Sequence, residues 1–178
     1  MYTVTRRICI DAGHRIPTHG SKCRNLHGHR YAIEATCYAA SLRRQGEETS
    51  MVVDFGFLKE LMVEHIDAPC DHAMILYVDD PIFQKIFLNS AGDVQLNLVK
   101  QAIEKYGWWA GQTAYEMKVY AVPFIPTAEE LAKHWLERLQ HPVGVRSHKR
   151  ATLSRVKVWE TPNCSAEVAN PALRVTPL

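Results

Sequence analysis

The chain has 178 residues, of which 47% are apolar and 22% charged, and a formal net charge of +2. That is the length and balance of one folded domain burying about 70% of its unfolded surface, which excludes a disordered chain or a disulfide-stapled miniature scaffold. So small a charge gives no ground for a nucleic-acid partner, and no apolar run approaches the roughly 20 residues that span a bilayer.

Residues 2–11 alternate, with Val4, Ile8 and Ile10 on one side, and predict a strand. Residues 29–40 predict a second, with Tyr31, Ile33, Ala35 and Cys37 on one face. The polar stretch Arg43 to Ser50 reads as a hairpin loop leading to a short segment, Met51–Asp54. Asp54 can cap a helix carrying Leu58, Leu61, Met62, His65 and Ile66 at helical spacing, and the loop Asp67–Met74, with Pro69, ends it. Asp80–Leu88 predicts a short helix with Pro81 at its first position, and Asp93–Tyr106 a longer one stopped by Gly107. Met117–Val122 reads as a strand. Thr127-Ala128-Glu129-Glu130 matches a capping box, followed by Leu131, Trp135 and Leu139 on one helix face. Leu153–Thr161 alternates again, and Val168–Leu178, with two prolines, is expected to trail over the surface. Long hairpin strands interrupted by a few helices predict an α+β fold on an antiparallel sheet.

The five cysteines (Cys9, Cys23, Cys37, Cys70 and Cys164) are irregularly spaced with no CxxC pair, the pattern of free thiols. The first residues lack the apolar core and small-residue cleavage site of a signal peptide. Both readings lead to the expectation of a cytoplasmic protein.

Nine histidines are many for this length. In His27-Gly28-His29 the two imidazoles lie two apart, so on a strand they share a face and can reach one ion. His14, at the end of the first strand, is the best third ligand, and His19, in a loop after Pro17, a lesser one. Three neutral imidazoles suit Zn²⁺ and leave one coordination position open, the arrangement of a catalytic site. The alternative is three unrelated histidines. His65, His134, His141 and His148 read as helix-face or loop residues without a role.

Cys23 lies four residues before His27, between Lys22 and Arg24, whose charges favour the thiolate needed for a base or nucleophile. The alternative is an inert loop thiol. Asp71-His72 is an adjacent pair in which the carboxylate can orient the imidazole. Val156, Val158 and Glu160 share a face by alternation, which puts a carboxylate at the end of an apolar row. A ligand with an N–H edge would partner it; a frayed strand end in solvent is the other reading. Glu129, in a first helical turn, equally suits the helix dipole.

Six blocks occur in order: DAGHRI, CRNLHGHRY, MVVDFGFLK, CDHAMI, PTAEELAKHW and VWETPNCSAE. Together they resemble the 6-pyruvoyl-tetrahydropterin synthase / 6-carboxy-tetrahydropterin synthase family, from about His14 to Glu167. The resemblance implies a tunnelling fold: a four-stranded antiparallel sheet with helices on one face, closing into a barrel as trimers that stack into a homohexamer. Active sites then lie between subunits, and the substrate is 7,8-dihydroneopterin triphosphate. By the resemblance His14, His27 and His29 are zinc ligands, Cys23 is the proton-abstracting thiolate, and Asp71 and His72 form an acid/base pair. Glu160 anchors the pterin's 2-amino and ring N–H groups, and Thr127 and Glu129 border the pterin pocket. Arg15, Lys22 and Arg24 are available for the phosphates.

The short interval from Cys23 to His27 is similar to the bacterial branch that makes 6-carboxy-tetrahydropterin for queuosine precursors and releases acetaldehyde and triphosphate. Alternatives are a pyruvoyl-forming synthase on the same substrate and a non-catalytic zinc- or pterin-binding module. Two features depart from the family pattern. Residues 79–122, with Trp108 and Trp109, form an insert absent from compact members; the tryptophans read as packing residues. Val168 follows Glu167 where relatives often carry an aromatic residue. The expectation is therefore a single domain, 1–178, acting on a small pterin, with neither nucleic acid nor membrane as partner.

Overall fold

The structure, a computed structural model, describes residues 1–87, 92–113 and 115–173. Strands β1 (Tyr2–His14) and β2 (His27–Ala39) form a long antiparallel pair, in register from Tyr2↔Ala39 to His14↔His27. Alternation sends Ile10, Ala12 and His14 of β1, and His27, His29, Tyr31 and Ile33 of β2, to one face. Asp11, Gly13, Gly28 and Arg30 take the other.

The first face carries the main core. Helices α1 (Phe55–Met62) and α5 (Ala128–Arg146) bring Leu58, Leu61, Met62, Leu131, Trp135 and Leu139 into one cluster with Ile33, Ala35, Cys37, Val156 and Val158. Asp54 caps α1 as its position predicts, its Oδ1 accepting from the Gly56 N–H at 2.6 Å and the Phe57 N–H at 3.2 Å. The chain does not leave the helix at Asp67. It continues through a π-turn (Val63–Asp67) into the short α2 (Ala68–Cys70), which contains Pro69. Arg43 to Ser50 closes as a loop, with Ser50 N–H donating to the Arg43 carbonyl at 2.8 Å, but Met51–Asp54 pairs as no strand.

The remaining elements are β3 (Met74–Tyr77), α3 (Pro81–Phe87), α4 (Gly92–Tyr106), β4 (Trp109–Gln112), β5 (Lys118–Val122), β6 (Thr152–Thr161) and β7 (Cys164–Ala169). All strands join one sheet in the order β4-β5-β3-β1-β2-β6-β7. The expected four-stranded antiparallel sheet is thus corrected to a seven-stranded mixed one. β3 pairs parallel with both β1 and β5, because the connections between them are crossovers rather than hairpins.

Helices on one face alone are corrected too. On β3 and β5, Ile75, Tyr120 and Val122 belong to the main core, while Leu76, Val119 and Ala121 point into a second cluster. There they meet Phe83 of α3 and Val99 and Ile103 of α4, so this end of the sheet is covered on both faces. The C-terminal expectation changes as well. Val168 and Ala169 belong to β7, and the buried Asn170 side chain donates to the Leu153 carbonyl at 2.8 Å, which ties the end of β7 to β6. The predicted helix end at Leu88 and the tail 174–178 lie outside the described residues.

Candidate metal and pterin site

At the end of the β1–β2 pair where the connection 15–26 joins the strands, His14 lies directly across from His27 and one step from His29. Among the described residues, the ligating atoms of these three histidines lie within 4.8 Å of one another. Each orientation has a cause. His14 Nδ1–H donates to the Pro126 carbonyl at 2.8 Å, and His27 Nδ1–H to the Asn25 carbonyl at 2.8 Å. A carbonyl can only accept, so both Nδ1 atoms carry the proton and both Nε2 atoms present lone pairs. Those two lone pairs face each other at 3.2 Å. Two acceptors so close repel unless a cation lies between them. The separation matches the edge of a tetrahedron with metal–nitrogen bonds near 2.05 Å, about 3.3 Å. The donor set therefore fits a divalent metal of the zinc type.

Burial, with the neighbouring imidazoles of His27 and His29, brings the His14 pKa down to about 4 even against the bond to Pro126. His29 is also lowered by burial, although Glu160 pulls the other way. Neutral imidazole is the ligating form, so the pocket favours it.

Glu160 belongs to the same site. Its Oε1 lies 3.8 Å from His14 Nε2, and its side chain is 25% exposed. The β6–β7 register shifts between Trp159 and Thr161, so Glu160 occupies a bulge at the rim of the sheet, where bulges re-aim side chains. Cys23 lies in a 3-10 turn, Lys22–Arg24, tied back to β1's exit by the Ile16 N–H donating to the Cys23 carbonyl at 2.8 Å.

Between these groups lies a residue that alternation alone assigns to the core. Tyr31 is fully buried, its ring edge-on to His14 and to His29, and its hydroxyl has no hydrogen-bond partner among the described residues. Burial pushes its pKa up, and the neighbouring Glu160 and Cys23 charges add to that rise. The sequence does carry its signal: Tyr31 continues the two-residue step of His27 and His29.

Asp71 and His72 are brought together, but elsewhere. Asp71 Oδ2 holds His72 Nδ1 at 2.7 Å, and Asp71 Oδ1 accepts the Asp11 N–H at 2.9 Å. The Asp71 pKa is lowered: burial pushes upward, and the bonds from Asp11 and His72 outweigh it. His72 lines a cleft with Asp11, Gly13, Gly28 and Arg30 of the face opposite the three histidines, and His29 reaches the same cleft. Among the described residues, no hydrogen bond or ion pair links this pair to the histidine cluster. Thr127 is the N-cap of α5, accepting from the Glu130 N–H at 3.3 Å, while its own N–H donates to the Ile125 carbonyl, so only half of the capping box forms. Glu129 is exposed in the first turn. The contact to the histidines here is made by the preceding residue, Pro126, whose carbonyl holds His14.

Of the three cations considered for phosphates, Arg15 is engaged: its Nε lies 2.9 Å from Oδ2 of the buried Asp80. Trp108 packs as expected, stacked on Tyr120 at 5.4 Å with the Arg138 guanidinium over its ring at 3.8 Å.

Comparison with known proteins supplies a frame for this geometry. A family model described as 6-pyruvoyl tetrahydropterin synthase matches residues 3–171. A Rickettsia bellii protein named 6-carboxy-5,6,7,8-tetrahydropterin synthase is 39% identical over 168 residues, covering 94% of this chain and 100% of the relative. A Haemophilus influenzae protein of the same name is 28% identical, covering 94% and 98%. Among solved structures, 6-pyruvoyl tetrahydropterin synthase from Plasmodium vivax superposes with a TM-score of 0.56 at 16% identity, covering 96% of this chain and 99% of the other. At that identity the likeness is one of fold.

Proposed function

The chain belongs to the 6-pyruvoyl tetrahydropterin synthase family, and from that premise we propose that it is a zinc-dependent 6-carboxy-5,6,7,8-tetrahydropterin synthase. In this reading it converts 7,8-dihydroneopterin triphosphate and one water to 6-carboxy-tetrahydropterin, acetaldehyde and triphosphate, in the cytoplasm and on the route to queuosine. The observation that carries the proposal is the convergence of His14, His27 and His29 on one point with Glu160 beside them.

His14, His27 and His29 hold the metal. Zinc bound there supplies Lewis acidity toward the substrate's side-chain oxygens. Glu160 accepts from the pterin's 2-amino and ring N–H groups, which fixes the ring relative to the histidines and satisfies a half-buried carboxylate. Cys23, as thiolate, takes the proton from the substrate's side-chain carbon. His72, oriented by Asp71, exchanges the proton at its Nε2, since Nδ1–H is committed to the Asp71 carboxylate. Because no hydrogen bond or ion pair among the described residues links this pair to the histidine cluster of its own chain, the reading has a second copy bring an Asp71–His72 pair to each cluster, as in a homohexamer of two trimers.

The deciding experiment incubates zinc-loaded protein with 7,8-dihydroneopterin triphosphate and measures pterin product by mass, and acetaldehyde, in the same reaction. Carboxy-tetrahydropterin with stoichiometric acetaldehyde is the expected outcome. Triphosphate release without acetaldehyde would instead assign the pyruvoyl-forming reaction, and unchanged substrate would reduce the protein to a binding module.

A further inference from the structure

Tyr31 stands inside this site with an unused hydrogen-bond donor. Its side chain is 0% exposed, and its ring lies 5.8 Å from that of His14 and 5.5 Å from that of His29. The phenol lies within electrostatic reach of Glu160 and Cys23, yet its hydroxyl bonds to neither nor to any other described residue. A buried hydroxyl left unpaired weakens a fold that a phenylalanine of the same shape would not weaken. Unlike the other unpaired atoms of the core, this donor stands beside a ligand site, which points to the ligand as its partner.

The chemistry around it says which kind. Glu160, as carboxylate, can only accept, so it takes the N–H edge of a heterocycle. The phenol can donate, and a pterin carries carbonyl and ring-nitrogen acceptors as well as donors. The two side chains thus offer complementary halves of one recognition pattern beside the same pair of imidazoles.

We propose that Tyr31 is a substrate-contacting residue, whose phenolic O–H donates to an acceptor atom of the pterin held between the three histidines and Glu160. The inference rests on the pterin-lyase reading of this site. Removing the hydroxyl leaves shape and metal ligands in place, so a loss of ligand affinity without a loss of stability reports on the contact itself.

The test is Tyr31→Phe, compared with the unmodified chain in four measurements: zinc content, thermal unfolding without ligand, affinity for 7,8-dihydroneopterin by calorimetry, and kcat/KM with the triphosphate. The expected variant keeps its zinc and has an unchanged or higher ligand-free Tm. It loses roughly tenfold in dihydroneopterin affinity and in kcat/KM, the size of effect one hydrogen bond sustains. Wild-type affinity and kcat/KM in the variant would overturn the proposal. So would a lowered ligand-free Tm with unchanged affinity, since the hydroxyl would then serve the fold through a buried water. Failure of the pterin-lyase reading is distinguishable, because it shows in the unmodified chain as absence of turnover. If that chain still binds dihydroneopterin, the affinity comparison decides Tyr31; if it binds none, both ideas fall.

Discussion

Among single residues, the proposed mechanism gives proton transfer to Cys23 and metal binding to the three histidines. Cys23→Ala is expected to retain zinc, measured by elemental analysis, while turnover falls by roughly 100-fold or more, the contribution of a general base. A variant with full turnover would remove Cys23 from the mechanism. His134, to which the sequence assigns no role, proves to be a structural residue. It is buried, with its Nε2 2.6 Å from the Tyr120 hydroxyl, which in turn accepts from Arg138 Nη1 at 2.7 Å. Burial, with the nearby Arg138 charge, lowers its pKa from 6.5 to about 3. Between those two values the unfolded chain binds the proton and the folded chain does not, so stability is full above pH about 6.5 and is lost as pH falls toward 3. The slope from one such group reaches about 1.4 kcal/mol per pH unit. Denaturant titrations between pH 7 and 4 should show this slope, and His134→Gln should flatten it; an equally steep variant would refute the assignment. While His14 joins it through the pairing of β1 with β2, the His27–His29 pair is legible in the sequence because period-two spacing is a local property. The role of His134 is not, because its partner Tyr120 lies in another element.

Among the elements, the segment 79–122 is tied to both halves of the candidate chemistry. Asp80, at the start of α3, accepts from the Ile82 N–H at 2.9 Å and pairs with Arg15, the residue after His14. Lys118, opening β5, donates to the carbonyls of Ala68 at 2.9 Å and Asp71 at 2.7 Å. It thereby anchors the turn in which His72 adopts a left-handed φ of 57°, with its N–H on the Asp11 carbonyl at 2.7 Å. Lys118→Met should cost roughly 1 kcal/mol of stability and lower kcat while leaving zinc content unchanged. Unaltered kcat would show that the Asp71–His72 turn holds itself. The caps and long amphipathic helices are readable from the chain: Asp54 sits where a cap is needed, and Leu131, Trp135 and Leu139 face the core as spaced. β3 and β4 are not. Met74–Tyr77 and Trp109–Gln112 are four residues each, too short for a periodic signal, and β3 is buried on both faces, so alternation carries no information there.

Across the molecule, one sheet separates the two parts of the proposed mechanism. The three histidines gather on the main-core face with Glu160 at its rim, and His72 borders a cleft lined mainly by the opposite face, which His29 also reaches. If neighbouring copies complete each site, Cys23→Ala and His72→Ala chains, each inactive alone, should recover turnover when unfolded and refolded together. Random assembly leaves about a quarter of the sites intact. Mixing without recovery would place all the groups within one chain. The described helices include none long and apolar enough to cross a membrane.

The α+β class, the principal strands, the capped helices and the His27–His29 pair are all written in spacings of a few residues, so the chain alone reveals them. Six ordered blocks carry the family resemblance for the same reason: each is a local string. Other features emerge only once the chain is folded. The sheet has seven strands and mixed direction, helices cover both faces at one end, and a bulge turns Glu160 toward His14. Tyr31 joins the site, and Asp71–His72 stands apart from it. These features depend on which strand lies beside which. That pairing is set by the burial of surfaces far apart in the chain, which no local period records.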